Sequence, residues 1–428
     1  MNSMIKNCRR KAPHWLLSIC LVSGQAIFAQ ESAKLSIDSC YALAKANYPL
    51  IRQFDLIAKS SEFNVSNASK AYLPQVSATG IGGYVFGGLP SFGAPGASTK
   101  ETSNTQFIGI VQVNQTIWDG GATKVQKEMI RANEEVEKNS VNVALYAIRE
   151  RVNQLFFGVL VIDEQLRQLD VLKQRFDISL DQVTKAKENG YSYQSDIDEV
   201  KAEILGVEQR KIEFSYARKG YIELLSYWMG KPLPEFAQLQ KPSIPLQAEM
   251  NRPELALYAS QRRALETQLS QIKVGNRPKI GLLGAGLLLA PGINFGRSTF
   301  SSVAIAGLSA SWNTGNLYRS SNNKELQKIQ LDKIQTEEET FRFNNGLQQK
   351  QASADIEKQR AVLKKDQEII ALKESIKQSY QLKYDNGISS MSELITAMNK
   401  EAEATSNQSL HEIQLLMSLY NSKTIHGN

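Results

Sequence analysis

The chain has 428 residues, enough on length alone for two or three ordinary domains. With 42% hydrophobic and 22% charged residues and a mean hydropathy of -0.32, it is too polar for a bundle of membrane-spanning helices and too apolar for a disordered chain. A formal charge of +7 raises the question of nucleic acid, while three histidines and three cysteines, with no pairs at zinc spacing, leave little for metal or thiol chemistry.

In chain order, Lys6, Arg9, Arg10 and Lys11 precede an apolar run from Trp15 to Val22, and small and polar residues follow to Ala29. A basic start and an apolar stretch too short to span a bilayer read as a secretory signal peptide over 1–29. Ile19 stands where a lipid-attachment signal at Cys20 wants a small residue, which argues against lipidation. Removing 1–29 takes away four basic residues and no acidic one, so the formal charge falls from +7 to +3 and nucleic acid drops out. Cys40 is then the remaining thiol, on an apolar helix face, and reads as buried and inert.

Prolines map the rest. After residue 29 they fall at 49, 74, 90 and 95 and then between 232 and 291, leaving 96–231 and 292–428 free of them. In the first stretch Ile148, Val152, Leu155, Val159, Ile162, Leu166, Leu169 and Leu172 step by four and three, the stripe of a helix that packs as a coiled coil. One helix from Gly121 to Gly190 would be roughly 100 Å long. The second stretch, Leu317 to Gly387, carries a less regular stripe: Leu326, Ile329, Ile369, Leu372 and Ile376.

Before each long helix lie two runs rich in Gly, Ala, Val, Ser and aromatics: Val76–Phe86 and Gln106–Trp118, then Ile280–Leu289 and Phe300–Trp312. Alternation is clearest in the second run, with Gln106, Gln112, Asn114 and Thr116 on one face and Phe107, Val111, Val113 and Ile117 on the other. These predict two strand pairs, each joined by a loop of Gly, Pro and Ser over 87–100 and 291–298. Strands of about 10 to 12 residues suit a tilted crossing of a bilayer. Trp118 and Trp312 next to the helices, and Tyr84, Phe86 and Phe300 next to the loops, sit where a membrane interface would want aromatics. A small water-soluble sheet of two hairpins stays open as the other reading. If the strands do lie in a membrane, several chains must share the barrel, because four cannot close one and an open edge in lipid leaves backbone groups unpaired.

The halves repeat. Asn47, Pro49 and Pro74 recur 204 residues on as Asn251, Pro253 and Pro278, Trp118 recurs as Trp312, and Gly190 with Asp196 recurs as Gly387 with Glu393. The order helix, strand pair, long helix, glycine turn, helix therefore occurs twice: 30–230 and 254–428, with a proline-rich connector over 231–253 and turns near 190 and 387.

On these features the sequence resembles the TolC-like outer-membrane efflux proteins over essentially its whole mature length. The segments that carry the resemblance are the early helix from Leu35 to Pro49, the hairpin start Tyr72, Leu73, Pro74 and Gln75, and the hairpin end Trp118, Asp119, Gly120 and Gly121. Their second-half counterparts and Tyr384, Asp385, Asn386 and Gly387 complete the set. The resemblance implies a mixed α and β membrane protein: a homotrimer whose strands, four per chain, form one outer-membrane barrel continued by a periplasmic tunnel of long helices. It implies a passive duct, working with a periplasmic adaptor and an inner-membrane transporter in efflux or type I secretion, without cofactor or chemistry of its own. It places a narrow aperture at the helix turns and assigns to it Asp196, Tyr384 and Glu393, with Asp198 and Glu199 adding charge. Two family positions depart: an arginine expected two residues after Gly387 is Ser389, and an acid expected nine after it is Thr396. Three copies of Glu393 about an axis would form an anionic ring that favours cations; the plainer reading is that Asp196 and Glu393 cap their helices.

The residues themselves argue against other classes. No nucleophile or carboxylate motif surrounds His411 or His426, and Gly82 and Gly83 lie in a hairpin, not in a phosphate-binding turn between strand and helix. A periplasmic coiled-coil adaptor also pairs long helices with strands and is the alternative to the duct, but the duplicated order speaks against it.

Overall fold

The computed structural model describes residues 34–84, 86, 105–245, 250–290 and 301–427; the expected signal peptide, Phe300 and both hairpin loops lie outside these. Helix α1 (Ile37–Asn47) starts at Ser36, whose hydroxyl accepts from the Ser39 N–H at 3.3 Å. A 3-10 turn beginning at Pro49 leads into α2 (Gln53–Ser69). Strands β1 (Gln75–Tyr84) and β2 (Thr105–Trp118) follow, then α3 (Ala122–Tyr146), α4 (Ile148–Glu188) and α5 (Gln194–Met229). The second half runs α6 (Pro253–Val274), β3 (Lys279–Ala290), β4 (Ser301–Ser311), α7 (Gly315–Asp385) and α8 (Met391–His426). The duplicated order is thus observed, except that the second half has no described counterpart of α1 ahead of its proline. No helix among the described residues is long and apolar enough to cross a membrane.

The repeats close alike. Each ends in a left-handed glycine, Gly230 (φ 63°) or Gly427 (φ 96°), set against the asparagine that opens its repeat. Asn47 donates to the carbonyls of Tyr227 and Trp228, and the Asn251 N–H donates to the carbonyl of His426 at 2.7 Å. The two ends are thus tied by the side chain of Asn47 in the first repeat and by the main chain of Asn251 in the second.

Both expected strand pairs form, β1 with β2 and β3 with β4, and β2 also pairs with β3, giving one antiparallel sheet in the order β1-β2-β3-β4 that both repeats build. Its register shifts between Thr116 and Trp118, where Gly281 lies so close to β2 that a Cβ would meet the Gln115 carbonyl oxygen at 2.6 Å. One expectation needs correction: the first long helix is not unbroken but steps at Ala147, without proline or glycine, where its partners change. α3 packs against α2 and α6, whereas α4 packs against α1, α5 and α8. Tyr146 fixes the step, its hydroxyl donating to the Thr424 carbonyl at 2.8 Å with Arg149 and Arg252 over its ring.

The heptad stripe of α4 is buried as its spacing predicts, with Ile148, Val152, Val159, Ile162, Leu169 and Leu172 inside. Phe156 and Phe157 join Cys40, Leu225 and Tyr420 in one cluster against α1, α5 and α8. Complete burial of a side chain of this kind contributes roughly 1.5–3 kcal/mol. Burial also pushes the Cys40 thiol up to about 12, so it stays protonated and inert. A second cluster, with Phe176, Val200, Val207, Leu394 and Met398, lies toward the helix turns. Glu401, itself buried, accepts from Arg175 and faces Lys377 at 3.7 Å, so one carboxylate ties α4, α7 and α8 together.

Candidate functional site

The sheet and the helix turns sit at opposite ends of α7, whose 71 residues span roughly 107 Å at about 1.5 Å each. At the turns both repeats use the same local chemistry. Gly190 (φ 80°) and Gly387 (φ 71°) take the left-handed conformation that stops α4 and α7, each preceded by an asparagine whose amide donates back to the carbonyl four residues earlier. The next helices then start on an acid. Asp196 accepts from the Tyr193 N–H at 3.0 Å and the Ser192 hydroxyl at 2.6 Å. Glu393 accepts from the Ser390 N–H at 3.0 Å and the Ser389 hydroxyl at 2.8 Å, while its own N–H donates to Ser390 Oγ at 3.3 Å. Those donors, led by the Ser390 N–H, hold the Glu393 carboxyl below the usual glutamate range.

Ser192 and Ser389 each stand two residues after the glycine and donate to the acid four residues on. Ser389 is thus more than the loss of an arginine: it performs locally what Ser192 performs in the first repeat. The sequence carried that signal in the shared spacing of Gly, Ser and acid. Thr396, the other departure, donates within its own helix to the Ser392 carbonyl at 2.8 Å.

Tyr384 breaks the symmetry. It is half-buried against the tip cluster, on the side of Ser192, whose hydroxyl donates to Asp196. Burial pushes its phenol up; the Ser192 hydroxyl opposes this, and the charge of Asp196 adds to it. The structure therefore brings Tyr384 of one repeat near Ser192 and Asp196 of the other. Glu393 is exposed and bonded within its own turn, and Asp198 accepts from Gln194 at 2.7 Å. Tyr191, Tyr193 and Ile388 are exposed beside the two turns.

At the other end Trp118, Trp312, Tyr84 and Phe86 all stand exposed. Tyr84 and Phe86 pack edge to face at 5.1 Å, and Trp312 Nε1 donates to the Asn276 carbonyl at 3.0 Å. Between sheet and helix sits a residue to which the sequence assigned no role. Asp119 is buried and accepts from Tyr72 at 2.8 Å, the Gly121 N–H at 2.9 Å and the Thr123 N–H at 2.7 Å. Burial alone would raise its pKa, but these bonds, led by those from Thr123, hold it at about 2. The second repeat has Asn313 here, which accepts from the Gly315 N–H at 3.1 Å. No cluster of His, Cys, Asp and Glu among the described residues could hold a metal ion.

No family model matches the sequence, and no curated protein does. Solved structures do. The outer-membrane channel OprN aligns over 92% of this chain and 90% of its own at a TM-score of 0.63 and 13% identity. For CusC, described with its transmembrane channel formation, the values are 92%, 93%, 0.64 and 16%. For the outer-membrane protein VceC of Vibrio cholerae they are 91%, 94%, 0.61 and 11%. The chain has the fold of the TolC-like outer-membrane channels.

Proposed function

We propose that the protein is a homotrimeric outer-membrane duct, a passive exit for cargo passed on by an inner-membrane transporter through a periplasmic adaptor. The sheet carries this reading. Its outer strands β1 and β4 each have one free edge, and they run antiparallel, so β4 of one copy meets β1 of the next in the sense that continues the pattern. Three copies close twelve strands without an open edge, as lipid demands of a barrel. The adaptor alternative loses ground, because both repeats contribute to one sheet instead of flanking a single helical hairpin. At the far end Asp196, Ser192 and Tyr384 would latch the two repeats where the aperture narrows, with Glu393 facing the passage. The strand-end aromatics would sit at the lipid interfaces.

Membrane fractionation followed by electrophoresis without boiling tests the reading. An outer-membrane, heat-modifiable trimer is expected; recovery in the soluble periplasm, or only a monomer in the unboiled sample, would overturn it.

A further inference from the structure

The two faces of the sheet differ along their length. One carries Val76, Ala78, Phe107, Val111, Val113, Leu282, Leu288 and small residues, almost without polar groups, as a lipid-facing surface does. The other carries Gln75, Ser77, Gln112, Asn114, Thr116 and Ser309 near the helices, side chains costly to bury in hydrocarbon, so this face lines the passage. On the central strands exposure agrees, with Phe107, Val111 and Leu288 standing out and Ile108, Ile110, Leu287 and Leu289 half-buried as on the inside of a curved sheet; on the edge strands Ile81 and Val303 are exposed.

Toward the loops the inner face changes character. Ile81 pairs with Ile108 and Ile108 with Leu289; one rung below on the same face, Ile110 pairs with Leu287 and Leu287 with Val303. Six aliphatic side chains thus adjoin, with Thr79 and Ser301 at one end of each rung, where a water-filled barrel calls for polar ones throughout. Charge offers no competing attraction, since Lys279, at the start of β3, is the one charged residue in the four strands. From these observations, and resting on the duct reading, we infer that the outer half of the passage is an apolar belt that binds the aliphatic parts of small amphiphilic cargo in transit. Burial of hydrocarbon, without charge recognition, then sets which cargo lingers there.

Single-channel recording in planar bilayers tests this with symmetric tetraalkylammonium ions, whose charge is constant while their alkyl length grows. In the unaltered trimer the blocking concentration should fall at least about tenfold from tetramethyl to tetrabutyl, a small part of the roughly fourfold per methylene that complete burial would give. In the combined Ile110→Thr, Leu287→Thr, Val303→Thr variant, which keeps β-compatible side chains, that dependence should shrink to within about twofold. Leu287→Thr alone should show an intermediate slope and serves if the combined variant fails to assemble. A pore with equal alkyl dependence in variant and parent would overturn the belt and leave the duct standing. Absence of any pore in the parent would overturn both.

Discussion

Helices α4 and α7 occupy corresponding places in the two repeats and are held in opposite ways. α4 buries an aliphatic and aromatic stripe, with Val152, Phe156, Phe157, Val159 and Phe176 fully inside its own chain. The buried residues of α7 are Ser320, Asn345 and Asp366, all polar. Each is a local tether: Ser320 to Asn276 at 3.1 Å, Asn345 to the Ile425 carbonyl at 3.0 Å, Asp366 to His411 at 2.7 Å. Meanwhile Leu326, Ile329, Phe343, Ile369, Leu372 and Ile376 of α7 stand exposed. A stripe of that size along so long a helix calls for another surface. α4 is covered within the chain, by α1, α5 and α8, whereas α7 keeps an apolar stripe that a second copy would cover under the duct reading.

The largest effect should come from breaking α4, the helix covered within its own chain. Val159→Pro removes a helix hydrogen bond and a fully buried side chain at once, a loss of about 3 kcal/mol or more from the proline alone. Neither an outer-membrane trimer nor export should remain; a normally assembled, exporting variant would mean that α4 is already interrupted there.

A matched pair sharpens the comparison. Phe156→Ala should lower stability by roughly 3–5 kcal/mol whatever the oligomeric state. Leu372→Ala should scarcely affect a monomer but lower the temperature at which the unboiled trimer dissociates. Equal effects on monomer unfolding would show that α7 is covered within its own chain. Between these lies Glu401→Gln, which leaves Arg175 and Lys377 facing an uncharged amide and should cost about 3 kcal/mol, the lower end of what breaking a buried pair costs, because Arg175 is partly exposed. Heat dissociation unchanged in this variant would mean that solvent already screens the cluster.

Asp119 supplies a smaller, pH-dependent effect. Its pKa of about 2 lies below the ordinary 3.8, so its contribution is full above that value and disappears as pH falls toward 2. The junction should weaken by on the order of 1–2 kcal/mol over this interval. Asp119→Asn should remove that part of the acid dependence, seen as a flatter dissociation temperature between pH 4 and about 2; an unaltered slope would assign the acid lability to other carboxylates.

Much of this comparison was legible before any coordinates. The alternating strands, the glycine turns, the duplicated Asn and Pro, and the stripes on both long helices are local patterns, and local patterns survive in sequence. What escaped depends on residues far apart. Ala147 marks a break only because α3 and α4 choose different partners, and the pairing of β2 with β3 needs the whole first helical half to return. Asp119 stood within a noted motif, yet its burial depends on Tyr72, 47 residues away. At the tip the acids were found by spacing, whereas the approach of Tyr384 to Ser192 and Asp196 joins two repeats and shows in neither alone.

The smallest structural effect, with the sharpest functional one, belongs to Glu393. Its carboxylate is exposed and held by its own turn, so Glu393→Ala should leave trimer dissociation nearly unchanged. If three such carboxylates ring the aperture, the same change should weaken block of the pore by divalent or trivalent cations at least about tenfold, each charge acting at close range in a narrow passage. The pH dependence follows from the donors. Because the Ser390 N–H and the Ser389 and Ser390 hydroxyls lower its pKa, Glu393 stays ionised below the ordinary glutamate range, and block in the parent should persist there as pH falls. Ser389→Ala removes one donor and should move the loss of block to higher pH. Block that is insensitive to Glu393→Ala would leave this residue as a helix cap, and the difference between the two tips would then reside in Tyr384 alone.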